Sequence, residues 1–307
     1  MKIVISIVGL VLLCIAALMV QQHFRYMDAR QNAVQDYQQA FHGDVFHVLT
    51  FVQAAEPDDF LTPLKTLVAA ARDTEASLIY AGQVIHVGLE STQIAQTFGT
   101  TPPWDAILVQ EFASEAAYQA YLARDEIARA ETQFAQTYRH GFKRSAILNV
   151  LLHQYLLLQK VWRWATLAPD VLPFQPAVAA DQQLPGASGA LLSHASGLGR
   201  DAILIVNLAQ TGTPEEQAAN ASYGAAMLGL MADLGYGPMH IGTAVALEHD
   251  HHFDQAMLVY YPGSKFFNDL STSKWFQSII GDKQLADTQA VITVPITNLL
   301  LNDELAG

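Results

Sequence analysis

Polar and apolar positions fall into three regimes along the chain. Residues 3–20 carry neither charge nor proline; Lys2 precedes them, and Gln21, Gln22, His23 and Arg25 follow. At about 1.5 Å per residue this run reaches roughly 27 Å, near the hydrocarbon thickness of a bilayer. The pattern predicts a transmembrane anchor over residues 1–22 and a polar helical stalk over 23–43. A cleaved signal peptide is the rival reading, but its apolar core would span about 7–15 residues and end in a small-x-small site. Ala16 and Ala17 lie too deep for that, and Leu18-Met19-Val20 is a poor site. Cys14, the single cysteine, follows Leu13 rather than the small residue that lipoprotein processing prefers. With only Met1 and Lys2 ahead of the span, the body is expected on the extracytoplasmic side of a cell membrane, although Arg25 and Arg30 blunt the charge rule.

Beyond the stalk, period-two and period-3.6 segments alternate. Residues 45–54 (VFHVLTFVQA) read as a strand, and Asp58 and Asp59 introduce a helix from Phe60 to about Thr74 with Leu61, Leu64, Leu67, Val68 and Ala71 on one face. Strands follow at 77–89 and 104–112, then a helix capped by Ser114 and reaching about Gln136, then a closing strand near 138–145. The order β-α-β-β-α-β is that of a ferredoxin-like unit. It recurs: strand 202–210, a helix opened by Pro214, strands 239–248 and 253–261, a helix over 265–280, and strand 288–296. The halves align without a gap from Trp104 (WDAILVQEFASEAAYQAYL) over Phe253 (FDQAMLVYYPGSKFFNDLS), pairing Asp105 with Asp254. Tyr80-Ala81-Gly82 lies over His240-Ile241-Gly242, and Thr50 and Gln53 over Asn207 and Gln210.

Tyr80-Ala81-Gly82, followed by the stretch from Trp104 to Ala117 with its Glu111-Phe112-Ala113-Ser114 strand end, resembles the dimeric α/β-barrel superfamily. The nearest members are its small uncharacterised ones (domain of unknown function 1330). The second half matches in pattern rather than motif, since its strand end is Tyr260-Tyr261-Pro262-Gly263-Ser264. The resemblance implies two ferredoxin-like units, 44–145 and 201–298, packed sheet to sheet as a barrel within one chain. A four-stranded sheet with helices on one face has a bare second face, which another sheet must bury.

The stretch from 139 to 164 changes the picture between the halves, with five Lys and Arg and no Asp or Glu. Residues 146–158 are apolar nearly all round. Lys143 and Arg144 flank one end, and Lys160, Trp162, Arg163 and Trp164 the other, as in a helix lying among lipid headgroups. A core helix with solvated basic ends is the alternative. Prolines at 169, 173, 176 and 185 mark the rest of 146–200 as a linker, and 299–307 is a tail. The net charge of −13 argues against nucleic acid, whose phosphates need a basic surface.

Candidate chemistry is sparse, and no residue pattern names a cofactor. Thr50, Tyr80, His86, Asn207 and His240 are polar residues in apolar strands and line a ligand site if they face the barrel. His240, in place of Tyr80, is the candidate catalytic base. Each could equally make one structural hydrogen bond in the core. His249, His251 and His252 could hold a metal ion, but they fall on a turn where polar residues belong and lack helical spacing. Three functions compete: a membrane-anchored binder of a small apolar molecule, a cofactor-free or haem-dependent monooxygenase- or isomerase-like enzyme, and a structural partner in an envelope complex. The first rests on the apolar pocket that a barrel encloses; the second is what the resemblance implies.

Overall fold

The computed structural model describes residues 45–56, 59–71, 74–89, 91–100, 102–144, 146–177, 202–234, 240–283 and 285–301, together with 9, 10, 13–21 and 24. Half of the predicted anchor and nearly all of the predicted stalk lie outside them. Among the described residues no helix is long and apolar enough to cross a membrane.

The first half runs β1 (Val45–Ala54), α1 (Leu61–Ala71), β2 (Ser77–Leu89), α2 (Thr92–Phe98), β3 (Ala106–Phe112), α3 (Glu115–Leu122), α4 (Asp125–Glu131) and β4 (Phe134–Arg144). After α5 (Ala146–Ala165), the second half runs β5 (Ile203–Gln210), α6 (Pro214–Leu234), β6 (His240–Ala246), β7 (Gln255–Tyr261), α7 (Ser264–Ser271), α8 (Lys274–Ile279), β8 (Asp287–Pro295) and α9 (Thr297–Leu301). Local chemistry sets several of these ends. The Asp59 carboxylate accepts the Thr62 N–H and the Ser114 hydroxyl accepts the Ala117 N–H, each satisfying an orphan donor of a first helical turn. Two short helices, α2 and α9, escape the periodicity, because at seven and five residues they hold too few turns to show it, and the helix predicted over 265–280 breaks at Thr272–Ser273 into α7 and α8. The long helix predicted up to Gln136 breaks at Ala123–Arg124, and β4 starts at Phe134.

The eight strands of the described residues close into one antiparallel barrel in the order β1-β3-β2-β8-β5-β7-β6-β4. Each half contributes the same order, 4-1-3-2 and 8-5-7-6, and both sheet edges are used. Residues 82–89 of β2 pair with 289–295 of β8, and 140–143 of β4 with 243–246 of β6. The two sheets therefore meet edge to edge at two seams as well as sharing an interior. That closure removes the four exposed edges that two separate sheets would leave.

Alternation along the strands separates two cores. Phe46, Val48, Val52, Ala106, Leu108 and Phe112 point outward under α1, α3 and α4, where they meet Leu64, Leu67, Tyr118, Tyr121 and Ile127. Leu49, Phe51, Ile107, Val109, Tyr138, Phe142, Leu204, Val206, Leu258 and Val291 fill the interior. The aligned positions also make matching bonds. Asp105 N–H donates to the Val52 carbonyl and Asp254 N–H to that of Ala209, while Val84 and Ala244 N–H donate to the carbonyls of Asp105 and Asp254.

Candidate functional site inside the barrel

Two polar clusters interrupt the apolar interior, one near each end. The proximal end is where β1 and β6 begin and β4 ends. His47 sits two residues before Leu49 and shares its inward face; Glu111 is directly opposite His47 on β3. The His47 Nε2 and Glu111 Oε2 atoms are 3.5 Å apart, and the histidine is fully buried while the Glu111 side chain is 18% exposed. His47 stacks on Phe142 at 4.7 Å between ring centres and lies 5.3 Å from His240. The Arg144 guanidinium contacts Nδ1 of His240. A guanidinium only donates, so Nδ1 accepts and the proton of the neutral His240 ring sits on Nε2. Tyr80 lies at the other seam, its hydroxyl 2.7 Å from that of Thr293. A carboxylate beside one imidazole and a guanidinium beside a second can take up a proton and hold the anion that forms.

At the distal end the Tyr138 hydroxyl lies 3.3 Å from Nδ1 of His140 and 3.2 Å from Nδ1 of His251. His251 Nε2 is 2.9 Å from the Thr97 hydroxyl at the surface. The chain of contacts therefore runs from solvent to a histidine with no exposed surface. Burial holds the Tyr138 phenol well above its ordinary value and lowers both histidines, His140 to about 4. His251 reaches inward because His249 and Asp250 before it adopt left-handed backbone, at φ 61° and 49°. That turn brings His249 to 5.5 Å from the His251 ring.

Of the residues expected to line the barrel, Tyr80 and His240 do. Thr50 does not: it lies opposite Leu108 and Arg139 on the outward face, beneath the helices. Asn207 also faces outward, half-buried and opposite Met257 and Ala290. His86 is exposed, because a β-bulge between Val84 and His86 shifts the side-chain phase of β2. Arg144, expected at a lipid surface, is 3% exposed and held against His240. Arg163 is turned to Asp233 on α6 at 2.9 Å. Lys143 is exposed and 3.6 Å from Glu115. Among the described residues no group of three or more His, Cys, Asp or Glu side chains is placed to hold a metal ion. His251 spends both nitrogens on Tyr138 and Thr97, and His252 is exposed.

Sequence reasoning missed His47, Glu111, Tyr138 and His140. A period of two marks three of them. Tyr138, His140, Phe142 and Arg144 alternate with Arg139, Gly141 and Lys143, and His47 shares the face of Leu49 and Phe51 between the outward Phe46 and Val48. Haem is one cofactor that the resemblance implies, and the residues do not fit it. His47 is stacked on Phe142, His240 is engaged by Arg144, and His140 meets the edge of Phe253 at 5.4 Å. Each of these interior histidines thus already packs against or bonds a protein side chain.

No family model and no curated protein matches the chain. Solved structures do. A chlorite dismutase variant from Candidatus Nitrospira defluvii is 8% identical, with 85% of this chain and 95% of that one covered and a TM-score of 0.46. An anthrone oxidase-like protein is 7% identical over 84% and 94%, at 0.42. A protein from Lactobacillus acidophilus NCFM, provisionally named a monooxygenase, is 8% identical over 83% and 94%, at 0.41. At this level of similarity no residue role passes from them to this chain.

Proposed function

We propose that the barrel is a cofactor-free enzyme acting on a small, mostly apolar molecule that carries one ionisable O–H or acidic C–H. The supporting observation is the proximal cluster, in which a buried His47 faces Glu111 while Arg144 holds a second histidine within 5.3 Å of the first. With Nε2 turned to Glu111, Nδ1 of His47 takes the substrate proton, and Glu111 stabilises the imidazolium that results. Nε2–H of His240, oriented by Arg144, donates to the developing oxyanion. The partly exposed Glu111 marks the side from which a substrate enters. The residues at 3–20 anchor this body to a cell membrane as a single pass, with the barrel on the extracytoplasmic side. The matched bonds of Asp105 and Asp254 favour descent of the two halves from one duplicated unit.

The test is titration of the purified protein with 2-naphthol, whose neutral and ionised forms absorb differently. Bound naphthol should be largely ionised at neutral pH. His47→Ala and Glu111→Gln should each lower the ionised-to-neutral ratio about tenfold or more, one pKa unit being tenfold. A His47→Ala variant that melts as cooperatively as the parent and still ionises the probe would remove the proposal. Equal binding of neutral naphthol by every variant would favour a binding protein instead.

A further inference from the structure

The helix α5 shows solvent an apolar face that nothing in the described chain covers. Leu158 is 65% exposed, Val161 49% and Trp162 67%; with Ala165 they fall within an arc of about 100° on the helix. Trp164 (79%) and Tyr155 (38%) border this arc, and Leu167, just past the helix end, is 87% exposed. The opposite face is the packed one. Leu156 is fully buried there, and Arg163 reaches Asp233 and lies against Gly229 on α6. The helix thus turns its salt bridge toward α6 and its tryptophans to solvent. Contiguous apolar exposure of this kind marks a contact surface rather than ordinary scatter.

We infer that this face rests in the interfacial layer of a lipid bilayer. The inference relies on the membrane anchor proposed above, and the strand that follows the N-terminal segment pairs with the strand that precedes α5. Val45, where the N-terminal segment enters β1, is the register partner of Arg144, two residues before α5 begins. The chain leaves the apolar run at Val20, so 24 residues (21–44) separate that run from the strand beside the base of α5. The N-terminal segment therefore enters the barrel and α5 leaves it at the same proximal end, one strand apart, about 5 Å. Tryptophan is the residue that suits this depth, with an apolar ring and an N–H that keeps a polar partner. Arg144 is buried against His240, Arg163 is paired with Asp233 and Lys143 lies 3.6 Å from Glu115, so the contact depends on apolar burial more than on anionic lipid. It persists in salt, which screens charge attraction but not apolar burial.

The full chain, reconstituted in phosphatidylcholine vesicles containing lipid brominated near the headgroup end of the acyl chain, tests this through tryptophan quenching. Trp104 is buried in the barrel and Trp275 lies on α8, so Trp162→Phe/Trp164→Phe isolates the two on α5. Strong quenching that is unchanged in high salt and falls severalfold in the double variant is the expected result. Resistance of the vesicle-bound chain to alkaline extraction reads the anchor separately. Extraction resistance without α5 quenching overturns the docking and leaves the anchor standing. Quenching in a chain that extraction releases keeps the docking and removes the anchor. Blue-shifted emission from Trp162 and Trp164 without bromine quenching means that protein covers the face, and the inference fails.

Discussion

The Tyr138 hydroxyl donates its single proton to one of His140 and His251 and accepts from the other, so at least one of the two imidazoles must remain neutral. Burial first, and then the charges that His251 and His252 would carry, push the His140 ring down from 6.5 to about 4. Between those values the unfolded chain binds a proton that the folded ring refuses, so stability falls as pH falls. One ring contributes about 1.4 kcal/mol per pH unit, or roughly 3 kcal/mol across the window. Urea unfolding at a series of pH values should show this slope, and His140→Phe should flatten it. His251, lowered in the same direction, adds to it. The matched aspartates should separate. Burial raises the Asp105 carboxyl, partly offset by the Ala54 N–H at 2.8 Å. Asp254 is instead lowered by the hydroxyl and N–H of Thr211, each at 2.6 Å. Asp105→Asn is expected to leave the melting temperature level or slightly raised. Asp254→Asn should lower the melting temperature, with a loss of stability of about 1 kcal/mol or less at this solvated site. The Asp254 contribution is present above the ordinary carboxylate value and lost as pH falls through the folded one.

The seams between the halves are the elements on which closure depends, and a glycine stands at each. A Cβ on Gly242 would lie 2.4 Å from the Lys143 carbonyl oxygen, which is backbone and cannot yield. A Cβ on Gly82 would meet the hydroxyls of Tyr80 and Thr293 at 2.5 and 2.6 Å, which can move apart at the cost of their bond. Gly242→Ala should therefore destabilise by more than Gly82→Ala, which is expected to cost about 1–3 kcal/mol; thermal melts rank the two. At this scale the sequence was legible. The strands of both halves and the pairing of Tyr80-Ala81-Gly82 with His240-Ile241-Gly242 follow from periodicity and alignment. The facing of Thr50, Asn207 and His86 was not, because which side of a strand looks inward depends on helix placement and on one bulge in β2. Arg144 misled for a related reason: beside Lys143 it reads as a basic flank, but alternation sends one of the pair out and the other in.

For the whole molecule, two seams and a shared interior join the halves more firmly than a single linker could. Two fragments, 1–177 and 202–307, should assemble when produced together without residues 178–201. Co-purification in a one-to-one ratio is the expected result; fragments that stay apart would mean that the seams need the covalent tether. The sequence by itself determined the strands and the longer helical stretches, their repeated order and the apolar run at the N-terminus, because hydrophobic period and turn chemistry are local. Only the tertiary structure decided which polar side chains meet. His47, Glu111, Arg144 and His240 come from four strands and lie up to 193 positions apart, the distance from His47 to His240. Their convergence depends on the closure that brings β4 beside β6, a long-range pairing that no local pattern encodes.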